Sequence, residues 1–94
     1  MNGEAAVSRS VMIVNRRGLH ARAAAKLVTL AEQFSANVDV LRDGQTVSAR
    51  SIMGLMMLAA GPGCIIHIRA EGPDAEAAVE ALAELVTNRF EEER

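Results

Sequence analysis

The sequence predicts an α+β domain of seven elements in the order β-α-β-β-α-β-α, with one sheet and its helices gathered on a single face. Three observations predict it. Four short segments have the apolar alternation or β-branched content of strands, two longer ones repeat apolar residues at the three-and-four spacing of helices, and Gly, Pro and an Asp-Gly pair separate them. Each helix has a single apolar stripe, so packing all of them against one side of one sheet buries every stripe at once. The 94 residues make one domain, residues 1–94, with no internal repeat and no linker.

Residues 1–7 are small and polar enough to be expected as a flexible tail. The first strand falls at Ser8–Val14, where Val11 and Ile13 stand against Arg9 and Ser10, and Asn15 to Leu19 form the following loop. From Ala21 to about Phe34 the positions Ala24, Leu27, Val28, Ala31 and Phe34 make the inner face of a helix, with Lys26, Glu32 and Gln33 outside. Ala36–Leu41 reads as the second strand, Asp43-Gly44 as a hairpin turn and Gln45–Ala49 as the third strand. Ser51 is placed to cap a short methionine-rich helix, Ile52 to about Leu58, which Gly61-Pro62-Gly63 breaks. Cys64–Ala70 is the fourth strand, with Ile66 and Ile68 on one face and Ile65, His67 and Arg69 on the other. Gly72-Pro73-Asp74 leads into the last helix, whose stripe is Ala75, Ala78, Val79, Leu82 and Val86 and whose wet side is Glu76, Glu80 and Glu84. Glu91 to Arg94 is expected to fray, because acidic residues at a helix C-terminus oppose the macrodipole.

Half the residues are hydrophobic, yet Phe34 and Phe90 are the only aromatics, so the expected core is built from Ala, Leu, Val, Ile and Met. Without an aromatic platform for bases and with a net charge of −2, a nucleic-acid binder is disfavoured. The charge is unevenly divided. Residues 1–50 hold seven Arg or Lys against four Asp or Glu, a balance of +3, and residues 51–94 hold three against eight, a balance of −5. A basic half of this kind fits an acidic protein partner. Cys64, the single cysteine, excludes an internal disulfide, suits a reducing compartment and is expected as a small buried residue opening its strand. No segment approaches the ~20 apolar residues of a membrane span, and the N-terminus lacks an apolar signal core, so a cytoplasmic protein without membrane insertion is expected. His20 and His67 lie on different elements with no Cys or carboxylate at ligand spacing. Neither a metal nor another cofactor is therefore expected, and His67 reads as structural or exposed.

The chemistry centres on Gly18-Leu19-His20-Ala21-Arg22, where extended chain gives way to helix. A helix start usually carries Ser, Thr, Asp or Asn as its cap. Here an imidazole takes the place, a weaker cap expected to leave the first N–H groups free for an anion at the positive end of the macrodipole. Arg22 adds a cation that can hydrogen-bond phosphate oxygens in a fork. These parts allow transfer of a phosphoryl group to and from an imidazole nitrogen. His20 is first the nucleophile and then the leaving group, while Arg22 and the N–H groups stabilise charge on the equatorial oxygens. Gly18 is expected to turn the chain and clear room for a partner's active site. The run Ile52, Met53, Leu55, Met56, Met57 is too continuous for a short helix to bury, so part of it must face out as a contact surface.

Gly18 to Arg22, the alanine-rich run behind it, and Ser51-Ile52-Met53-Gly54-Leu55-Met56 about thirty residues on together resemble HPr. This is the histidine phosphocarrier family of the phosphoenolpyruvate-dependent phosphotransferase system, and the resemblance runs over nearly the whole chain from about Val11. It implies an open-faced sandwich, a four-stranded antiparallel sheet ordered 1-4-2-3 with three helices on one face, and a bacterial carrier that is not itself an enzyme. It further implies that His20 takes a phosphoryl group from phosphorylated enzyme I and passes it to an enzyme IIA-type protein. Arg17, Leu19, Lys26, Ile52, Met53 and Met56 become the expected partner-binding surface and the protein an expected monomer. Ser51 matches a serine that is a regulatory phosphorylation site in some members, the substrate of an HPr kinase/phosphorylase. Where many members have threonine and proline this chain has Ala21 and Ala23, which removes a hydroxyl and a rigid first-turn residue but no phosphate chemistry. Sugar-uptake and nitrogen-branch carriers share every residue used in this reading. The competing expectation is a ferredoxin-like ligand-binding regulatory domain, which shares the first six elements, with His20 incidental and no phosphotransfer.

Overall fold

Four strands and three helices follow one another in the expected order in the computed structural model, which describes residues 6–92. They are β1 (Val7–Met12), α1 (Ala21–Ala31), β2 (Asn37–Arg42), β3 (Gln45–Ser48), α2 (Ile52–Met57), β4 (Ile65–Glu71) and α3 (Ala75–Thr87), and a short turn at Arg89–Glu91 follows. Most of the expected tail lies outside the described residues, but Val7 pairs with Ala70 and belongs to β1. The sheet is ordered β1-β4-β2-β3 with every pairing antiparallel. β4 is thus central and β1 an edge, the order the family resemblance implies. The ferredoxin-like alternative falls away.

Element ends differ from the sequence expectation where side-chain pattern outruns backbone hydrogen bonding. α1 stops at Ala31 rather than Phe34, because the N–H groups of Gln33 and Phe34 turn back to the carbonyls of Leu30 and Ala31, tighter than an α-helical bond. β1 stops at Met12, after which the Ile13 N–H and carbonyl are taken by Cys64 and Gly63 of the loop before β4. The hairpin turn is as expected, with Asp43 at φ 52° and Gly44 at φ 81°, the paired left-handed residues that match strand twist.

Ile66, Ile68 and Ala70 of β4, Val38 and Val40 of β2 and Val11 of β1 face inward against the helical layer, where Leu27, Val79, Leu82 and Val86 are buried. Asp74 clamps the layers at one end. Instead of capping α3, its carboxylate accepts the N–H groups of Ser35 and Ala36 at 2.9 and 2.8 Å. Those bonds, the Ser35 one first, hold the carboxyl below its ordinary range despite some desolvation.

The expected core composition is corrected: Phe90 is fully buried and heads the large core side chains, and no methionine joins the core among the described residues. Met53, Met56 and Met57 are exposed, in line with the expectation that part of their continuous apolar run faces out. A six-residue helix buries only Leu55, because one turn and a half presents a single inward position. Cys64 lies just before β4 and is only half-buried, with the Arg42 guanidinium donating to its Sγ at 3.2 Å. His67 lies on the open face of the sheet, where its Nδ1 and the Ser10 hydroxyl are 2.7 Å apart. Among the described residues no cluster of His, Cys, Asp or Glu is placed to hold a metal ion, and no helix is long and apolar enough to cross a membrane.

Candidate functional site

The loop Asn15–Leu19 is fixed before His20 is reached. Gly18 is buried at φ 67°, and a Cβ there would stand 2.5 Å from the Ala60 carbonyl oxygen and 2.8 Å from the Gly61 Cα. The room that this glycine clears is therefore for the protein's own backbone rather than for a partner. Leu19 then donates its N–H to Ala60 at 2.9 Å and sinks its side chain to 5% exposure. Leu19 is an anchor of the loop and drops out of the expected partner surface.

His20 occupies the N-cap of α1 with extended backbone, and its carbonyl accepts the first helical bond from Ala24. As expected of an imidazole cap, the contact is a poor one: Nδ1 accepts the Arg22 backbone N–H at 3.3 Å. The bond is long for an N–H donor, so the cap is weak. Among the described residues the N–H groups of Ala21 and Ala23 have no partner, which leaves donors at the positive end of the helix. Arg22 is exposed in that first turn, and its guanidinium makes no hydrogen bond among the described residues.

The other ring nitrogen is occupied from across the chain. Nε2 lies 2.6 Å from the Glu92 carboxylate, with the two side chains 16% and 14% exposed. An N–H pointed at Nδ1 requires a lone pair there, and a carboxylate at Nε2 requires a donor. The proton accordingly sits on Nε2, and Nδ1 is the free base. Glu92 is bound a second time, by the amide of Asn15 at 3.2 Å, and the same amide donates to the Gly18 carbonyl at 2.8 Å. Burial, the largest influence on the Glu92 carboxyl, pushes its pKa up. The His20 and Asn15 hydrogen bonds, with the nearby Lys26 charge, outweigh it, and the net displacement is downward.

This arrangement overturns the expected fraying of the acidic end as far as Glu92; Glu93 and Arg94 lie outside the described residues. Arg89, Phe90 and Glu91 all adopt left-handed backbone, with φ of 60°, 53° and 64°, which reverses the chain and aims Glu92 at His20. Such residues cost roughly 1–2 kcal/mol each, and the buried Phe90 ring holds them in place. Lys26 joins in by donating to the Phe90 carbonyl at 2.7 Å. Its ammonium ties down this turn and is not the free partner-facing cation expected from the sequence.

Ser51 caps α2 as expected, its Oγ accepting the Gly54 N–H at 2.9 Å. Ile52, Met53, Met56 and Met57 are exposed, Met53 and Met57 to about 70%, on a helix packed beside α1. Arg17 is exposed in the loop before His20. Asn15, Phe90 and Glu92 are the site residues that sequence reasoning missed. Asn15, a fully buried polar residue just after an apolar strand, carried a local signal; Glu92, 72 residues from His20, carried none.

With this geometry in place, comparison with known proteins is specific. The family model described as "PTS HPr component phosphorylation site" matches residues 7–88. The phosphocarrier protein HPr of Cupriavidus necator is 49% identical over 86 residues, 92% of this chain and 97% of that protein. The phosphocarrier protein NPr of Shewanella violacea is 43% identical over 86 residues, 92% and 94% of the two chains. The crystal structure of an HPr from Bacillus anthracis superposes with a TM-score of 0.84 at 49% identity, covering 87% of this chain and 98% of that one.

Proposed function

This chain belongs to the HPr family of phosphotransferase-system phosphocarriers, and from that premise we propose that His20 carries the phosphoryl group on Nδ1. One observation supports the choice of atom above the others: Nε2 is tied to Glu92, while Nδ1 holds only a long hydrogen bond at the open end of α1. The Nδ1 lone pair attacks phosphorus as the bond to the donor's leaving group breaks, and the proton stays on Nε2. Phosphoryl oxygens then replace Nδ1 at the Arg22 N–H and meet the Ala21 and Ala23 N–H groups and the Arg22 guanidinium. Transfer onward reverses the step, with Nδ1 leaving.

The donor in this reading is phosphorylated enzyme I and the acceptor an enzyme IIA-type protein, in the cytoplasm. The protein acts as a monomeric single-domain carrier rather than an enzyme. Arg17, Ile52, Met53 and Met56, extended by Met57, form the docking surface; Leu19 and Lys26 support the site from beneath. A kinase acting on Ser51 would place a phosphate at the start of α2 beside that surface, where it adds negative charge against an acidic partner without removing the cap.

The test is incubation with enzyme I and labelled phosphoenolpyruvate. Wild type takes up acid-labile label, and His20→Ala takes up none while it stays folded, its stability falling by about 2–3 kcal/mol through loss of the weak cap and of the Glu92 contact. Label retained by His20→Ala would refute the assignment.

A further inference from the structure

We propose that Glu92 is a positioning residue for phosphoryl transfer at His20: its carboxylate, 2.6 Å from Nε2, holds the ring with Nδ1 as the nucleophile and balances the charge the ring gains on phosphorylation. This rests on the reading of His20 as the acceptor. Glu92 lies beyond residues 7–88, the span of the family match.

Attack by Nδ1 converts a neutral imidazole into an N-phosphoryl imidazolium. The electron pair of Nδ1 forms the new P–N bond, the donor's leaving group departs with the pair of the bond it loses, and the Nε2 proton goes nowhere. Positive charge is then shared with Nε2–H, the group that faces the carboxylate. Before attack the carboxylate faces a neutral N–H and after it a cationic one, so the contact favours the product and the transition state over the ground state. On onward transfer the same contact keeps Nε2 protonated and lets Nδ1 depart as a neutral base.

The surroundings are built to keep the carboxylate there. The Asn15 amide is fully buried and has one possible orientation, because turning it over would point Oδ1 at both the Gly18 carbonyl and the Glu92 carboxylate. In the orientation seen, Oδ1 is left buried and unpartnered. An orphaned acceptor is costly, and it is tolerated where the two donor bonds hold the loop and Glu92 together. The left-handed turn at Arg89–Glu91, anchored by Phe90 and by the Lys26 bond, delivers the side chain.

The opposite role is that of a stopper, in which the carboxylate shields His20 from the phosphoryl donor. It predicts faster phosphorylation when Glu92 is removed. Full-length Glu92→Ala and the isosteric Glu92→Gln are compared with wild type using enzyme I and phosphoenolpyruvate, with kcat and KM determined separately and the His20 ring followed by proton–nitrogen NMR. The expected result is a fall in kcat on the order of tenfold for Glu92→Ala, the size of one charge-assisted hydrogen bond in a partly exposed site. KM for enzyme I changes little, Glu92→Gln lies between, and the wild-type Nε2–H signal is far downfield and is lost in Glu92→Ala. Unchanged kcat in both variants, a rise in either, or a wild-type ring protonated on Nδ1 would overturn the proposal. His20→Ala, run alongside, separates the two readings: label on that variant defeats the acceptor assignment itself, whereas silent Glu92 variants with an unlabelled His20→Ala defeat only the role of Glu92.

Discussion

Replacing Phe90 by alanine tests whether packing holds the reversed chain end against its own backbone preference. Phe90 is fully buried, and truncating such a ring in place costs about 3–5 kcal/mol. The segment lies near the end of the described chain, however, and has a second option, which is to undock. Undocking relieves the three left-handed residues of roughly 1–2 kcal/mol each, so it caps the loss toward the lower end of the range. The expected value is about 3 kcal/mol, a fall in Tm of roughly 12–24 °C for a domain of this size. Urea unfolding followed by far-ultraviolet circular dichroism measures it, and the slope identifies the route: undocking exposes surface before the main transition and lowers m. Phosphorylation should fall with stability, since Glu92 and the Lys26 bond leave with the turn. A loss under about 1 kcal/mol at unchanged m and unchanged phosphorylation would refute the account of the turn as a packed strut.

Gly18→Ala should destabilise by more than about 1 kcal/mol and slow phosphorylation, because the added methyl meets the backbone of Ala60 and Gly61 at a left-handed φ; a variant equal to wild type in both respects would show that the loop has slack. Met53→Lys should change stability by no more than about 0.5 kcal/mol, as its side chain is exposed, yet raise KM for enzyme I with kcat preserved; an unchanged KM would remove Met53 from the docking surface. Glu92 and Asp74 both have carboxyl pKa values below their ordinary 4.5 and 3.8, so the stability they contribute is complete above those values and is lost as pH falls through the lower, folded-state ones. The urea midpoint should therefore drop on acidification below about pH 4.5, with a shallower drop in Glu92→Gln, and an identical slope in that variant would contradict the ionised contact with His20.

The element order was legible because periodicity is local: β4 alternates buried and exposed along its whole length, and the Asp43-Gly44 turn could be named from two residues. Strand order was not, since β1 and β4 are paired by contacts more than fifty residues apart and the pattern is the same for either neighbour. Within the site, His20 at a helix start and Arg22 in its first turn were readable from spacing. Leu19 was misread because an apolar residue beside the acceptor looks like surface until the Ala60 carbonyl is seen to draw its backbone inward. The role of Glu92 had no local trace. It depends on Arg89, Phe90 and Glu91 adopting backbone that glycine would normally advertise, and a run of acidic residues ordinarily reads as a solvated end.

A carrier must meet a donor and an acceptor in turn through one small surface, and the chain separates the residues that do this from those that keep it folded. Its methionines are absent from the described core, where alanine, valine, leucine, isoleucine and one phenylalanine fix the packing, and they are concentrated instead on the outer side of α2. An unbranched thioether adapts its shape at little cost, which suits successive partners of different contour. Rigidity is needed only at His20, and there it comes from contacts remote in sequence: Gly18 and Leu19 against Ala60, and Glu92 and Asn15 against the ring and its loop. On the proposed reading, a docking surface that yields beside an acceptor that does not would let the phosphoryl group find the same nitrogen whichever partner presents or removes it.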